Sequence, residues 1–141
     1  ANYRIIEAMG LRPVAAIDAA EQQAAVSTIT RDEVVIDALL GTGFSGEVRS
    51  PLAELIHGIN AASKRALVAV DLPSGLDCDT GTPGRATIRA DLTITFVARK
   101  PGFDSPQADQ YLGRIEVVDI GAPRELIAEV AAGRPSPRAF Q

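Results

Sequence analysis

The hydrophobic positions of this chain fall into short apolar runs separated by stretches with helical spacing. Continuous apolar runs rich in aliphatic residues are typical of strands buried within a parallel sheet. Five runs predict strands: Pro13–Ile17, Val34–Leu40, Ala66–Leu72, Leu92–Val97 and Arg114–Ile120. Residues 76–86 are rich in Gly, Asp, Thr and Pro and predict an irregular loop.

Helical spacing of apolar residues predicts four helices, at residues 1–11, 18–26, 50–59 and 123–133. Asp18 and Glu21 have the spacing of a capping box, which places the start of the second helix. Ser50 is expected to be the N-cap of the third helix, with Pro51 at its first position. Gly133 is placed to end the last helix.

Strands and helices alternate along the chain at the spacing of βαβ units, with no internal repeat. The sequence therefore predicts an α/β fold, a three-layer αβα sandwich of Rossmann-like type with a mainly parallel sheet. The domain is expected to cover residues 1–133, with residues 134–141 as a flexible tail. Ligands of such sheets bind beyond the carboxyl ends of the strands, so residues at those ends are the candidates for chemistry.

Composition and charge narrow the possible functions. Hydrophobic residues make up 46% of the chain but aromatic residues only 4%, so the core is expected to be aliphatic. The net charge of −4 and the lack of a Lys/Arg run argue against nucleic-acid binding as the main function. No apolar run approaches the roughly 18 residues of a membrane span, and a single cysteine, Cys78, cannot form an internal disulfide. We expect a soluble, cytoplasmic protein.

The first candidate site lies at the end of the second predicted strand. Asp37 interrupts an apolar run, and a buried carboxylate is costly unless a cation or hydrogen-bond donors satisfy it. The loop from Gly41 to Glu47 leads to a helix start, where backbone N–H groups favour anions. Two simpler interpretations stay open: a solvated Asp37 that caps the turn, and glycines that serve only a tight turn.

The same segment allows a rival interpretation. Methyltransferases that use S-adenosylmethionine have an acidic residue followed by glycines two, four and six positions on. Gly41 and Gly43 fit that spacing after Asp37, but Leu39 occupies the first glycine position. The pattern therefore favours this class only weakly.

The second candidate site is Asp71-Leu-Pro-Ser-Gly75, where another carboxylate follows another apolar strand. Pro73 and Gly75 fix a turn that presents Ser74. The single histidine, His57, projects away from the apolar stripe of its helix, which argues against a Ser-His-Asp hydrolase. Ser74 is better interpreted as an oxygen ligand or a hydrogen-bond donor than as a nucleophile.

Two further points concern ions at this edge of the sheet. Carboxylate and hydroxyl oxygens at Asp37 and Ser74 suit a hard cation and not zinc. Lys100 is a cation that follows the fourth predicted strand, although an exposed loop lysine is an equally simple interpretation.

Seven segments occur in an order that resembles the YjeF N-terminal domain family: Val35–Gly46, Val48–Pro51, Val70–Asp77, Thr80–Gly81, Ala90–Phe96, Lys100–Gly102 and Val118–Gly121. Members of that family are NAD(P)HX epimerases. They interconvert the R and S forms of hydrated NADH or NADPH, so that a partner dehydratase can restore the cofactor. The resemblance covers nearly the whole chain and implies this fold and this isomerase activity.

The resemblance also implies roles for individual residues. The hydrated nucleotide is expected to bind, through backbone groups, to Gly41, Thr42, Gly43, Phe44, Ser45, Gly46 and Glu47. Asp71 is expected to contact it, and Asp37 and Ser74 match the positions that hold a potassium ion. Because inversion of the hydrated ring carbon needs proton transfer, Asp71 is our hypothesis for the acid/base residue, with Lys100 as the second candidate. The family further implies a homodimer coupled to an NAD(P)HX dehydratase.

One departure from the family pattern bears on completeness. The family carries an earlier Asn-Asn-Gly-Gly-Asp loop that completes the nucleotide and potassium sites, and no such run occurs here. The first predicted helix also begins without a cap. We therefore expect either the later part of such a domain or a degenerate member with an incomplete site. A non-catalytic alternative is a dimerisation or RNA-binding module of the same fold; the retained Asp37, Asp71 and Ser74 favour the enzyme.

Overall fold

The fold is taken from a computed structural model, which describes residues 2–132. Its helices are α1 (Asn2–Ala8), α2 (Ala19–Ser27), α3 (Leu52–Ala61), α4 (Asp109–Leu112) and α5 (Arg124–Ala131). Its strands are β1 (Val34–Asp37), β2 (Ala66–Val70), β3 (Leu92–Phe96) and β4 (Arg114–Val118). A short 3-10 helix lies at Pro101–Asp104. No helix in this part of the chain has the length and apolar character needed to cross a membrane.

The four strands form one sheet in the order β1-β2-β3-β4, and every neighbouring pair is parallel. Val34 lies beside Ala66 and Leu92 beside Arg114, so these neighbouring strands begin at the same level of the sheet. All four strands therefore end at the same edge. The predicted α/β fold with a parallel sheet is confirmed.

One face of the sheet carries the core. Side chains at alternate positions share a face, and residues paired across the register share it too. On this face β2 buries Leu67 and Ala69 beneath Ile56 and Ile59 of α3. Farther along the sheet a second cluster is buried around Phe103, with Leu72, Leu76, Ala108 and Leu112.

The opposite face contributes no buried side chain among the described residues. Ile36 is 66% exposed there, and Val34 and Val118 are exposed as well. The continuous apolar runs predict burial on both faces, so the structure differs from that expectation on this side.

The predicted helix starts have two outcomes. At α2 the capping box is confirmed, because the backbone N–H of Glu21 donates to Asp18 Oδ1 at 2.8 Å while the Glu21 carboxylate accepts from the Asp18 N–H. At α3 the prediction of Ser50 as N-cap is wrong. Pro51 occupies that position, and the Ser50 hydroxyl donates to the Glu54 carboxylate instead.

The predicted strand Pro13–Ile17 is also wrong, because these residues are irregular and Val14 is 83% exposed. An apolar run becomes a strand only where a neighbouring strand pairs with its backbone, and no described strand pairs with this one. The 3-10 helix and α4 were not predicted. The expected cap at Gly133 and the tail 134–141 lie outside the described residues.

Candidate functional site

The candidate site is assembled at the carboxyl edge of the sheet. Asp37 is the last residue of β1, Asp71 follows β2 directly, and Lys100 follows β3 by a short turn. Because the strands are parallel and neighbouring, these sequence-distant residues meet. The structure pairs Asp37 with Ser74 and Asp71 with Lys100.

Asp37 and Ser74 form a buried hydrogen-bond network. Each residue is only 1% exposed. Asp37 Oδ1 accepts from the Ser74 hydroxyl at 2.6 Å, and Asp37 Oδ2 accepts from the Ser74 backbone N–H at 2.8 Å. Oδ1 also accepts from the Leu39 N–H, and Ser74 Oγ accepts from the Leu40 N–H at 2.9 Å. The interpretation of Asp37 as a solvated residue is therefore wrong; donors from two loops satisfy it.

The same network bears on the predicted potassium site. Around Ser74 Oγ lie a carboxylate oxygen of Asp37 and the carbonyl oxygen of Leu40, the latter at 3.5 Å. These are hard oxygen ligands of the kind that alkali and alkaline-earth cations prefer. Within the described range no group of three or more His, Cys, Asp or Glu residues is placed to hold a metal ion. The oxygens of this network are of the kind that binds a hard cation.

Asp71 and Lys100 form a partly exposed ion pair. Lys100 Nζ lies 2.7 Å from Asp71 Oδ1, with side-chain exposures of 17% and 24% respectively. Oδ1 also accepts from the Thr95 hydroxyl at 3.1 Å and from the Phe96 N–H at 3.3 Å. Every donor converges on Oδ1, and Asp71 Oδ2 has no hydrogen-bond partner among residues 2–132. One oxygen is thus anchored while the other can meet a ligand.

The backbone at Asp71 places this carboxylate. Its φ of +70° lies in the left-handed region, which costs a non-glycine residue roughly 1–3 kcal/mol and recurs at functional sites. The Asp71 N–H still donates to Ile94 at 2.8 Å, so the ladder between β2 and β3 extends to this residue. The chain turns immediately afterwards and brings the side chain over the end of β3.

The surroundings also set the protonation of Asp71. Burial raises the pKa of the carboxyl, but hydrogen bonds from Lys100, Phe96 and Thr95 together with the Lys100 charge hold the pKa below its ordinary value. Asp71 is therefore a carboxylate at neutral pH. It can accept a hydrogen bond or a proton, and it needs a second group as the donor.

The loop predicted to bind the nucleotide is exposed and follows Asp37. A Cβ placed on Gly41 or Gly43 would meet no atom within 4 Å, so packing does not require these two glycines. Gly46 is different, since its φ of +91° favours glycine. Phe44 packs partly against the core. Glu47 Oε2 accepts from the Arg85 backbone N–H at 2.9 Å, so this carboxylate already holds a neighbouring loop.

Two residues at the site were not singled out from the sequence. Thr95 is fully buried and positions Asp71. The sequence feature that could have identified it is a polar residue at an alternating position of an apolar strand. Thr87 packs against Gly75, where an added Cβ would lie 2.1 Å from the Ala86 carbonyl oxygen. That close approach explains the glycine, and it agrees with the turn predicted at Pro73 and Gly75.

The fold is that of an α/β protein whose described residues form one parallel sheet. At the carboxyl edge of this sheet Asp37 is paired with Ser74, and Asp71 is paired with Lys100. The family model for the YjeF-related protein N-terminus matches residues 1–102. The chain belongs to this family. The match favours the resemblance drawn from the sequence over the methyltransferase pattern.

Relatives of this chain carry related names. The chain is 38% identical over 131 residues to the NAD(P)H-hydrate epimerase of Pirellula staleyi, covering 93% of this chain and 57% of that protein. It is 37% identical over 126 residues to the enzyme of that name from Rhodopirellula baltica, covering 89% and 50%. It is 46% identical over 134 residues to the bifunctional NAD(P)H-hydrate repair enzyme Nnr of Hyperthermus butylicus, covering 94% and 23%. The chain thus spans about half the length of the first two.

Proposed function

We propose that this chain carries the reacting groups of an NAD(P)H-hydrate epimerase, an isomerase that interconverts the R and S forms of NADHX and NADPHX. The observation that carries the proposal is the Asp71–Lys100 pair. It offers, at the carboxyl edge of a parallel sheet, one ammonium group and one carboxylate oxygen that has no hydrogen-bond partner among residues 2–132. The names of the relatives support the substrate class.

The chemistry needs a proton acceptor and a proton donor. In the proposed step the C–O bond to the added hydroxyl breaks as the leaving oxygen accepts a proton, and the lone pair of the ring nitrogen forms a C=N bond. Water then adds to the other face of the ring carbon, its proton passes to a base, and the C=N electrons return to the nitrogen. Proton transfer from Asp71 to Lys100, which are paired, restores both groups. Asp71 Oδ2 is the acceptor in this proposal. Lys100 Nζ is the donor, and it also stabilises negative charge that develops beside it.

The nucleotide portion is proposed to bind along residues 41–47. This loop is exposed and carries glycines that packing does not demand, so a ligand can approach its backbone closely. Its N–H groups can bind the pyrophosphate without any cationic side chain. An anionic ligand can therefore bind at this loop although the chain as a whole carries a net charge of −4.

A potassium ion is proposed at Asp37 and Ser74. When bound, such an ion supplies a positive charge near the phosphate-binding loop. Asp37 and Ser74 already accept hydrogen bonds from the backbone of residues 39–40. A bound ion would strengthen this connection between the loop and the turn at Ser74. We expect the epimerisation rate to rise with KCl more than with LiCl at equal ionic strength. Equal rates in the two salts would remove potassium from the proposal.

The test of the function is an epimerisation assay on (R)-NADHX, run with the 141-residue chain and with Asp71→Asn as matched inactive protein. We expect conversion to the S form above the spontaneous rate, and a rate in the variant lower by about 10²–10⁴-fold. Asp104→Asn, which removes an exposed carboxylate paired with Arg99, is the control and should match wild type. A wild-type rate equal to the spontaneous one, with and without potassium, would overturn the proposal.

Three associated features are proposals on the same basis. We propose a homodimer, which the family resemblance supports, and a cytoplasmic location, with which the single cysteine agrees. Coupling to a dehydratase is supported by relatives whose names describe a bifunctional repair enzyme.

A further inference from the structure

A second concave surface lies on the α3 side of the molecule. Its volume is about 350 Å³, and it is lined by α3, by the segment 85–89 and by Tyr111 of α4. None of its lining residues belongs to the Asp37–Ser74 network or to the Asp71–Lys100 pair. We call it the arginine cavity, after Arg85 and Arg89.

The arginine cavity is cationic in an acidic chain. The ion pairs of the described residues involve Arg99, Lys100 and Arg114, so neither Arg85 nor Arg89 has a carboxylate partner within that range. Two glutamates from neighbouring segments have other hydrogen-bond partners. Glu47 accepts from the backbone of Arg85 and not from its guanidinium, and Glu54, a turn before His57, is hydrogen-bonded to Ser50.

The backbone of residues 87–89 is held by the side chain of Asn60 and by the Thr87 hydroxyl. Asn60 Nδ2 donates to the Thr87 carbonyl at 2.9 Å, and Asn60 Oδ1 accepts from the Arg89 N–H at 2.9 Å. The Thr87 hydroxyl donates to the Gly75 carbonyl at 2.9 Å. Residues 87–89 are therefore fixed from two sides before any ligand binds.

The guanidinium of Arg89 is also oriented. It lies over the ring of Tyr111, 5.6 Å from the ring centroid, and such stacking restricts a long side chain. A planar, oriented guanidinium can make two parallel hydrogen bonds to an oxyanion, with less ordering cost than a freely rotating lysine. A guanidinium that is already oriented loses less conformational entropy when a ligand binds, and this favours binding.

We propose that the arginine cavity binds the phosphate group of a small phosphorylated molecule. Two guanidinium groups that form no ion pair with a carboxylate among residues 2–132 match a doubly charged oxyanion, and the volume falls in the range of small-ligand pockets. Asn60 and Tyr111 also line the cavity, and there they hold the Arg89 backbone and face the Arg89 guanidinium. This site is separate from the proposed epimerase site and does not depend on it.

The experiment is a titration of the 15N-labelled full chain, followed by amide NMR shifts. The probes are inorganic phosphate and glycerol 1-phosphate, with sodium chloride at equal ionic strength as the reference. We expect saturable shifts confined to residues 85–89 and the neighbourhood of Asn60. In Arg85→Gln/Arg89→Gln the affinity should fall by at least about tenfold.

A matched control is Arg31→Gln/Arg124→Gln, which makes the same change in net charge outside the cavity. Its affinity should stay within about twofold of wild type. Non-saturable shifts, or equal losses in the two double variants, would show general charge screening and overturn the proposal. Saturable shifts at residues 41–46 that survive the Arg85→Gln/Arg89→Gln change would place phosphate at the epimerase site and also overturn it. Arg85→Gln alone, at an exposed position, keeps the test usable should the double variant be unstable.

Discussion

Two carboxyl groups stand at neighbouring strand ends, and their surroundings differ. Asp37 is 1% exposed and accepts hydrogen bonds on both oxygens from the protein itself. The Asp71 side chain is 24% exposed, and the hydrogen bonds that it accepts from the described part of the chain all go to Oδ1. Both oxygens of Asp37 accept hydrogen bonds from the protein, whereas Asp71 Oδ2 has no hydrogen-bond partner among residues 2–132.

The difference comes from backbone position. Asp37 is still within β1, on the face that also carries Leu67 and Ala69, so its side chain enters the core. Asp71 lies one residue beyond β2 with a positive φ, and its side chain is turned over the sheet edge. Similar sequence patterns, an aspartate after an apolar strand, thus give a residue that holds the fold and a residue that is available for chemistry.

The largest expected effect on stability comes from Asp37→Ala. The change leaves the Ser74 hydroxyl and backbone N–H, both buried, without their acceptor, and each such loss costs about 1–3 kcal/mol. We expect the free energy of unfolding to fall by about 3 kcal/mol in urea titrations. A change below about 1 kcal/mol would contradict the role assigned to Asp37.

Ser74→Ala should have a smaller effect on the same network. It removes the hydroxyl that joins Asp37 Oδ1 to the Leu40 N–H but leaves the backbone bond from residue 74 to Oδ2. We expect a loss of about 1–2 kcal/mol by urea unfolding. If potassium binds here, the stabilisation of wild type by KCl over LiCl should vanish in this variant; stabilisation that persists unchanged would exclude Ser74 as a ligand.

The Asp71–Lys100 pair should contribute less to stability than the Asp37–Ser74 network, and its contribution to the free energy of unfolding should depend on pH. The pKa of Asp71 is lower in the folded chain than in the unfolded chain, so its contribution is present above the unfolded value and disappears as pH falls through the folded value. Lys100→Met should therefore lower the unfolding free energy by up to about 1 kcal/mol at neutral pH. Measured again near pH 2, the difference should be close to zero. A constant difference across pH would mean that Lys100 acts through packing.

Thr95→Val is the mildest change, and it separates positioning from packing. The substitution keeps the volume of a buried side chain but removes the donor to Asp71 Oδ1. We expect a stability change below about 1 kcal/mol, because Oδ1 keeps two other donors. The pKa of Asp71, followed by NMR, should rise toward its ordinary value. Thr95→Ser, which retains the hydroxyl, should restore it; a pKa unaffected by either change would remove Thr95 as a positioning residue.

Part of this comparison is readable from the sequence. The apolar run around Asp37 predicts its burial, and parallel topology predicts that Asp37, Ser74 and Asp71 share an edge. The capping box at Asp18 is local chemistry, and it forms where predicted. These features depend on short-range pattern or on the general geometry of parallel sheets.

Other features depend on contacts that no local pattern encodes. The positive φ of Asp71 and the convergence of three donors on one oxygen arise from the approach of β3, far along the chain. The run Pro13–Ile17 has strand composition but no described partner strand. The exposure of one face of the sheet, where Ile36 lies, could not be predicted either, because the apolar run of β1 has the composition of a strand that is buried on both faces.

The most direct test of the central claim follows both carboxyl groups at once. The chain is labelled with 13C at the aspartate side-chain carboxyls, the signals are assigned with Asp37→Asn and Asp71→Asn, and NADHX is added as its equilibrated mixture of epimers. We predict that the Asp71 signal shifts saturably while the Asp37 signal stays within its linewidth. Saturable movement of the Asp37 signal with a stationary Asp71 signal would contradict the division between a carboxyl group that holds the fold and one that meets the substrate.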